Sequence, residues 1–303
     1  VPNEEKVRVR VGDRRLVVSN LSKVLYPEHG FTKAQVIEYY LKIAPVLLPH
    51  IADRPLTLKR YPDGVDGEFF YQKNVPQGTP TWVRTARVPA PGSTKDREQV
   101  EYVVADDLPT LIWAANLANL EIHTPQWRLP GDGRAVDETP DPDLLVFDLD
   151  PGPPATIVEC CRVAELLRPV LRDRGLEPLA KTSGNKGMQL LAAISGHSSA
   201  EASALAKDVA EELAAQHPDL ITAKMTKSLR KGKVFIDWSQ NNAAKTTVAP
   251  YSLRARSEPT VSTPVTWDEV EGCTKAHQLQ FTSDEVLERV AERGDLLKPL
   301  LGE

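Results

Sequence analysis

Two aspartates one residue apart, Asp148 and Asp150, close an apolar run in LLVFDLDPGP at residues 144–153. Residues two apart on a strand project from the same face, so the two carboxylates stand together while Phe147 and Leu149 turn to the other side. Like charges at that spacing repel, and burying them without a cation would push one pKa sharply upward. A third carboxylate, Asp237 in KVFIDWSQ, ends another apolar run. Three carboxylates suit hard cations such as Mg2+ or Mn2+, and two such ions about 3.5–4 Å apart activate a hydroxyl and stabilise a leaving oxyanion. Phosphoryl or nucleotidyl transfer is the matching reaction class, with polymerase, nuclease and phosphatase chemistry all open at this point. A haloacid-dehalogenase-type phosphatase also begins with Asp-x-Asp, but wants Thr or Val two positions after the second Asp, where this chain has Gly152.

Other residues suit phosphate. TSGNKGMQ, 182–189, joins small residues to Lys186 at a turn, so backbone N–H groups, Ser183 and Lys186 can converge on phosphate oxygens. Neither a Walker A string nor G-x-G-x-x-G occurs. From Lys224 to Arg256 there are eight cations (Lys224, Lys227, Arg230, Lys231, Lys233, Lys245, Arg254 and Arg256) against the single acid Asp237. A window so segregated suggests a polyanion surface around the proposed metals. Phe69, Phe70 and Tyr71 have the composition of a base-stacking surface, though such triplets also build cores. His123 in EIHTPQW suits a metal or phosphate contact as well as a structural role.

The elements that must position these groups follow from periodicity. Thr32 and Gln35 have capping-box spacing, predicting a helix from about residue 33 to Leu48, with Pro45 kinking it or ending it early. Pro, Gly and Asp collect at 130–143 and predict an exposed loop. Beyond it come a strand at 144–150, a helix from about 156 with Ile157, Cys161, Ala164, Leu167 and Leu171 on its apolar face, and a stop at Gly175. A strand at 176–182, the SGNKG turn, a strand at 188–194, a helix at 199–216 and a strand at 233–240 complete the series. The order βαββαβ is that of the split βαβ, ferredoxin-like unit found in RNA-recognition modules. Its fourth strand lies beside its first, which would set Asp237 next to Asp148 and Asp150.

Composition narrows the class. A chain of 303 residues with formal charge -5 can bury a sizeable core and is not a uniformly cationic polyanion binder. Adjacent Cys160 and Cys161 with a distant Cys273 provide no disulfide framework, consistent with a reducing compartment. No 18-residue apolar run or leader pattern appears, so the expected location is cytoplasmic, without a membrane partner.

In order along the chain, SNLSKVLYPEHGFTK, HTPQW, FDLDPG, TSGNKG, TKSLRKGKVFIDWSQN and KTTVAPYSLRAR resemble the polymerase domain of bacterial DNA ligase D, in the archaeo-eukaryotic primase superfamily. The resemblance covers nearly the whole chain and implies an α+β primase-polymerase domain over 1–303. An N-terminal α/β portion (about 1–140) would pack on a βαββαβ, RRM-like catalytic core (141–260), followed by a C-terminal helical segment (261–303). No K-x-D-G ligase motif follows, so a stand-alone enzyme or an excised domain is expected.

The implied activity is template-directed nucleotide addition that fills gaps or extends ends in end joining or base excision repair, using NTP or dNTP substrates and readily accepting ribonucleotides. Asp148, Asp150 and Asp237 would hold two Mn2+ or Mg2+ ions. Ser183, Lys186, Lys245 and Arg254 would bind the triphosphate, and His123 and Arg230 would contact the nucleotide. Phe70 and Tyr71 would stack at the template or gap, and Asn20, Lys23 and Lys33 would receive a downstream 5′-phosphate. The implied partners are gapped or broken duplex DNA, a ligase and a Ku-type end-binding protein, in a bacterial, nucleoid-associated setting. One departure stands out: relatives read S-G-x-K-G-x-H, whereas Gln189 occupies the histidine position. A neutral amide cannot become cationic, so nucleotide affinity or its pH dependence should differ. The competing readings are a non-catalytic DNA-end binder and a metal-dependent nuclease or phosphoesterase.

Overall fold

The computed structural model describes residues 5–89, 98–131 and 133–302. The first half opens with a hairpin, β1 (Lys6–Val11) and β2 (Arg14–Ser19), then a small pair, β3 (Val24–Tyr26) and β4 (Phe31–Thr32), and helix α1 (Lys33–Ile51). Next come β5 (Thr57–Arg60), β6 (Phe70–Gln72), a second hairpin of β7 (Thr85–Pro89) and β8 (Gln99–Val103), helix α2 (Leu108–Asn116) and β9 (Asn119–Thr124). The second half contains β10 (Leu144–Pro151), α3 (Ile157–Arg172), β11 (Leu179–Thr182), β12 (Met188–Ala193), α4 (Ser199–Gln216), β13 (Ile221–Thr222) and β14 (Val234–Asp237). It closes with β15 (Thr247–Val248), β16 (Pro264–Val265), α5 (Trp267–Glu271) and α6 (Ser283–Arg293).

Helix α1 starts where its capping box predicts: Thr32 accepts from the Gln35 N–H, and Gln35 accepts from the Thr32 N–H in return. It does not stop near Leu48 but runs to Ile51, through both Pro45 and Pro49. Proline removes a helix hydrogen bond, but Ile43, Leu47 and Ile51 are all fully buried, and that packing holds the last turns in place. Helix α3 begins with another capping box, Thr156 with Glu159, which follows directly on the Pro-Gly-Pro exit from β10.

Six strands form the main sheet in the order β13-β14-β10-β12-β11-β16. β14 lies antiparallel to β10 with Asp237 directly opposite Asp148, the neighbour relation the βαββαβ order predicts. Two short strands extend the sheet beyond that order. β13 runs parallel to β14, and β16 pairs with β11. The strand expected at 176–182 is shorter, Leu179–Thr182, and that expected at 233–240 ends at Asp237, where a 3-10 turn (Trp238–Asn241) begins.

One face of this sheet presents Leu145, Phe147, Leu149, Met188, Leu190 and Ile236 to α3 and α4, forming a buried core. The other face carries Asp148, Asp150, Gln189, Lys181 and Asp237, and turns toward a second sheet of order β15-β9-β5-β6. That second sheet packs with α1 and α2 around its own core. Cys160, Cys161 and Cys273 are buried, free thiols. No described helix is long and apolar enough to cross a membrane.

Candidate active site

The aspartates sit where an apolar strand runs out of core. Phe147 and Leu149 are fully buried, while Asp148 is half-buried and Asp150 reaches solvent at the end of β10. Close backbone packing fixes the strand end. A Cβ on Gly152 would lie 1.9 Å from the Arg230 carbonyl oxygen, and one on Gly187 would lie 2.0 Å from the Leu149 carbonyl oxygen. Only glycine permits either approach. The Asp-x-Asp strand, the SGNKG turn and the loop bearing Arg230 are thereby locked against one another.

Electrostatics sets these carboxylates apart. Burial and the neighbouring charge of Asp150 push Asp148 up to about 7. Partial burial also raises Asp150, against the pull of Arg230, and the charge of Asp237 raises it further. Elsewhere, partly buried carboxylates have cationic partners: Asp143 pairs with Arg54 at 2.6 Å and Glu269 with Arg289 at 2.6 Å. Among the described residues, none of Asp148, Asp150 and Asp237 has a side-chain cation within ion-pair distance. Three carboxylates on neighbouring positions of one sheet face, without a cationic partner, supply the hard oxygen donors a divalent cation takes, so the donor set fits one.

The side chains are nonetheless not drawn into a ready cluster: among the described residues, no group of three His, Cys, Asp or Glu has metal-holding geometry. The reason is local. Asp237 accepts from the Ser239 N–H, the Ser239 hydroxyl and Gln240 Nε2, capping its own 3-10 turn. Asp148 Oδ1 accepts from Gln189 Nε2 at 2.9 Å.

Around the carboxylates lie the phosphate-suited groups. Ser183 Oγ accepts from the N–H groups of Asn185 and Gly187, which tightens the SGNKG turn. Lys186 is exposed, and its charge, with that of Arg254, reaches Asp150. Arg254 spans the two sheets, donating to the Ser183 carbonyl at 2.8 Å with its Nε 3.4 Å from Glu121. Arg230 lies over the Phe235 ring, 3.7 Å from its centroid, and donates to the Met225 carbonyl. Lys245 reaches the Ser239 hydroxyl, which itself donates to Asp237. Within the basic window, Lys233 donates to the Pro218 carbonyl.

On β9, His123 donates from Nε2 to Glu121 at 2.9 Å. Burial lowers the His123 pKa despite that carboxylate, so the imidazole is a neutral donor at pH 7. Tyr71 stands on the same face, its ring centroid 6.1 Å from that of His123, with Lys59 at 4.4 Å over Phe69 nearby. Phe70 faces the other way, against Arg60. All three aromatics are exposed, at 50, 44 and 57% for Phe69, Phe70 and Tyr71, so the triplet is not core. The alternation of the strand nevertheless assigns Phe70 and Tyr71 to different surfaces.

Asn20, Lys23 and Lys33 are joined through the backbone. The Lys23 N–H donates to the Asn20 carbonyl, and the Lys33 N–H to the Lys23 carbonyl. Lys23 is exposed and paired with Asp63 at 2.8 Å, while Lys33 is buried and donates to the Ser19 carbonyl.

Three further residues belong to this arrangement: Glu121, Lys59 and Lys181. Glu121, almost fully buried, collects His123, Arg254, Lys59 and the Ala255 N–H. Burial would raise its carboxyl, but the His123 hydrogen bond and the charges around it hold it at about 2. Its position two residues before His123 on a strand was the available signal.

Residues 32–297 match the family described as LigD, primase-polymerase domain. Over 287 residues the chain is 47% identical to the multifunctional non-homologous end joining protein LigD of Mycolicibacterium smegmatis, covering 94% of this chain and 36% of that protein. It is 30% identical over 282 residues to the bifunctional LigD of Bacillus subtilis, covering 92% of this chain and 43% of that protein. The chain thus spans well under half the length of these curated relatives. Its fold superposes with a TM-score of 0.88 on the polymerase domain of Mycobacterium tuberculosis ligase D in complex with DNA, at 42% identity, covering 96% of this chain and 99% of that one. A match of that extent in sequence, and of that closeness in overall fold, establishes that the chain belongs to the LigD primase-polymerase domain family.

Proposed function

We propose that the domain catalyses template-directed nucleotidyl transfer, extending a DNA primer at a gap or broken end. The observation that carries this reading is the set of three unneutralised aspartates, on adjacent strands of one sheet face, ringed by phosphate-suited cations. Asp148, Asp150 and Asp237 are the residues that would hold two divalent ions, Mn2+ or Mg2+. Bound there, such ions lower the pKa of a primer 3′-hydroxyl and neutralise charge on a departing pyrophosphate.

The chain's own groups do the rest. Lys186, Arg254, Ser183 and Lys245 bind the triphosphate of an NTP or dNTP, with Arg230 and the neutral His123, whose Nδ1 is left as an acceptor, against the nucleotide. Tyr71, beside His123, offers a stacking face at the nucleotide side, and Phe70 a separate one for the template strand. Asn20, Lys23 and Lys33 receive the 5′-phosphate of a downstream strand. Lys33 does so from a buried position and Lys23 by exchanging Asp63 for the phosphate. These assignments direct the enzyme to gapped or broken duplexes in bacterial end joining, in the nucleoid, where a ligase and a Ku-type end-binding protein are the matching partners. A ribonucleotide preference belongs to the same proposal.

The test is extension of a 5′-phosphorylated gapped duplex with Mn2+, using ribo- and deoxynucleotides side by side on each template base. Complementary addition is the expected result. Shortening of the primer would support a nuclease, and tight end binding without extension a recruitment module.

A further inference from the structure

Gln189 stands on the metal-facing side of the main sheet, and its surroundings show what the amide does. Asp237, Asp148, Gln189 and Lys181 form one row across four strands, each residue directly opposite the next. Lys181 is 1% exposed and makes three hydrogen bonds: to Gln189 Oε1 at 2.6 Å, Ser262 Oγ at 2.7 Å and the Val248 carbonyl at 3.0 Å. All three partners are acceptor oxygens, so the nitrogen donates to each, although burial and the Arg254 charge draw its pKa down to about 7. An ammonium only donates, so the amide must turn its oxygen to Lys181 and its NH2 to Asp148, which it meets at 2.9 Å. Ser262, whose hydroxyl donates onward to the Thr182 carbonyl, anchors the lysine from the other side.

We infer that Lys181, acting through Gln189, fixes the orientation of the Asp148 carboxylate and is a positioning residue for the divalent-cation site. This inference rests on the metal reading proposed above. A flipped amide would bring oxygen against oxygen at Asp148, and the lysine forbids that flip. With Oδ1 held by the amide, Oδ2 is presented on the face shared with Asp150 and Asp237. The interposed amide matters as much as the charge behind it. A lysine paired directly with Asp148 would neutralise the carboxylate and compete with a cation, whereas one residue removed it transmits direction without an ion pair. A buried polar group serving only to stabilise the sheet would have no such directional consequence.

The experiment titrates Mn2+ alone into the full chain, without DNA or nucleotide, and follows free Mn2+ by its EPR signal. Lys181→Met and Gln189→Leu should each weaken Mn2+ binding about tenfold, near the lower end of what a hydrogen bond to a charged group contributes. The double variant should be no weaker than the weaker single, because both changes remove one relay. Binding of a 5′-phosphorylated gapped duplex in EDTA should be unchanged in all three, reporting that they fold. Unchanged Mn2+ affinity in a folded Gln189→Leu overturns the inference, as does a double variant whose losses multiply to about a hundredfold. Gln189→Leu alone decides the matter if Lys181→Met does not fold. If Asp237→Ala loses Mn2+ binding while both relay variants keep it, the inference fails and the metal site stands. If the wild-type chain binds no Mn2+, the site itself is refuted.

Discussion

Glu121 offers the sharpest energetic test of how the cleft is assembled. Replacing it with Gln keeps shape and burial but removes the charge that gathers Arg254, Lys59 and His123. Its folded pKa is held at about 2 against an ordinary 4.5. A depressed folded pKa means stability that is present in full above the unfolded value and is lost as pH falls toward the folded one. At about 1.4 kcal/mol per pH unit, the shift corresponds to up to roughly 3 kcal/mol at pH 7 and roughly 2 kcal/mol at pH 3.5. The figure is an upper value because His123, lowered by burial, contributes at pH 7 as a neutral donor rather than a charge. Urea unfolding of wild type and Glu121→Gln at the two pH values measures the difference directly. The variant should be the less stable at pH 7, with a gap that narrows on acidification. Equal stabilities at pH 7, or a gap that widens as pH falls, would show that the Glu121 charge does not hold the cleft together. The same variant should raise the nucleotide KM, since Arg254 and His123 lose their common anchor.

Further outcomes follow from individual contacts. Lys23→Ala should lower affinity for 5′-phosphorylated gaps several-fold while leaving 5′-hydroxyl gaps nearly unchanged, and Asp63→Ala should do the opposite by releasing Lys23; fluorescence anisotropy on the paired substrates reads both. Gly152→Ala should destabilise the fold by roughly 3 kcal/mol in urea unfolding, because the new methyl collides with the Arg230 backbone rather than with a movable side chain. Tyr71→Ala should raise the nucleotide KM about tenfold, within the range of a lost base stack, with little change in thermal stability because the ring is exposed.

Much of the site was legible because strand alternation is a local rule. Asp148 and Asp150 on one face, Phe147 and Leu149 on the other, and β14 beside β10 all follow from short patterns plus one topological convention. Helix α1 began at its capping box for the same reason, but its passage through two prolines depended on distant packing that no local rule contains. β13 and β16 are two-residue strands made by long-range pairing, invisible to periodicity. Lys181 and Glu121 escaped notice because a charged residue in an apolar strand shows neither its burial nor its partners. Phe70 and Tyr71 were grouped by adjacency, although alternation itself separates them. At Asp237 the position was readable, while the engagement of its carboxylate by Ser239 and Gln240 was not.

The role proposed for Asp148, Asp150 and Asp237 is nucleotidyl transfer. It is tested most directly by single-turnover extension of a 5′-phosphorylated gapped duplex with Mn2+, comparing wild type with Asp148→Ala and Asp237→Ala under conditions where gap binding is measured in parallel. Wild-type extension, lost in both variants while gap binding is retained, is the predicted result. Equal extension by wild type and either variant would exclude that carboxylate from the reaction.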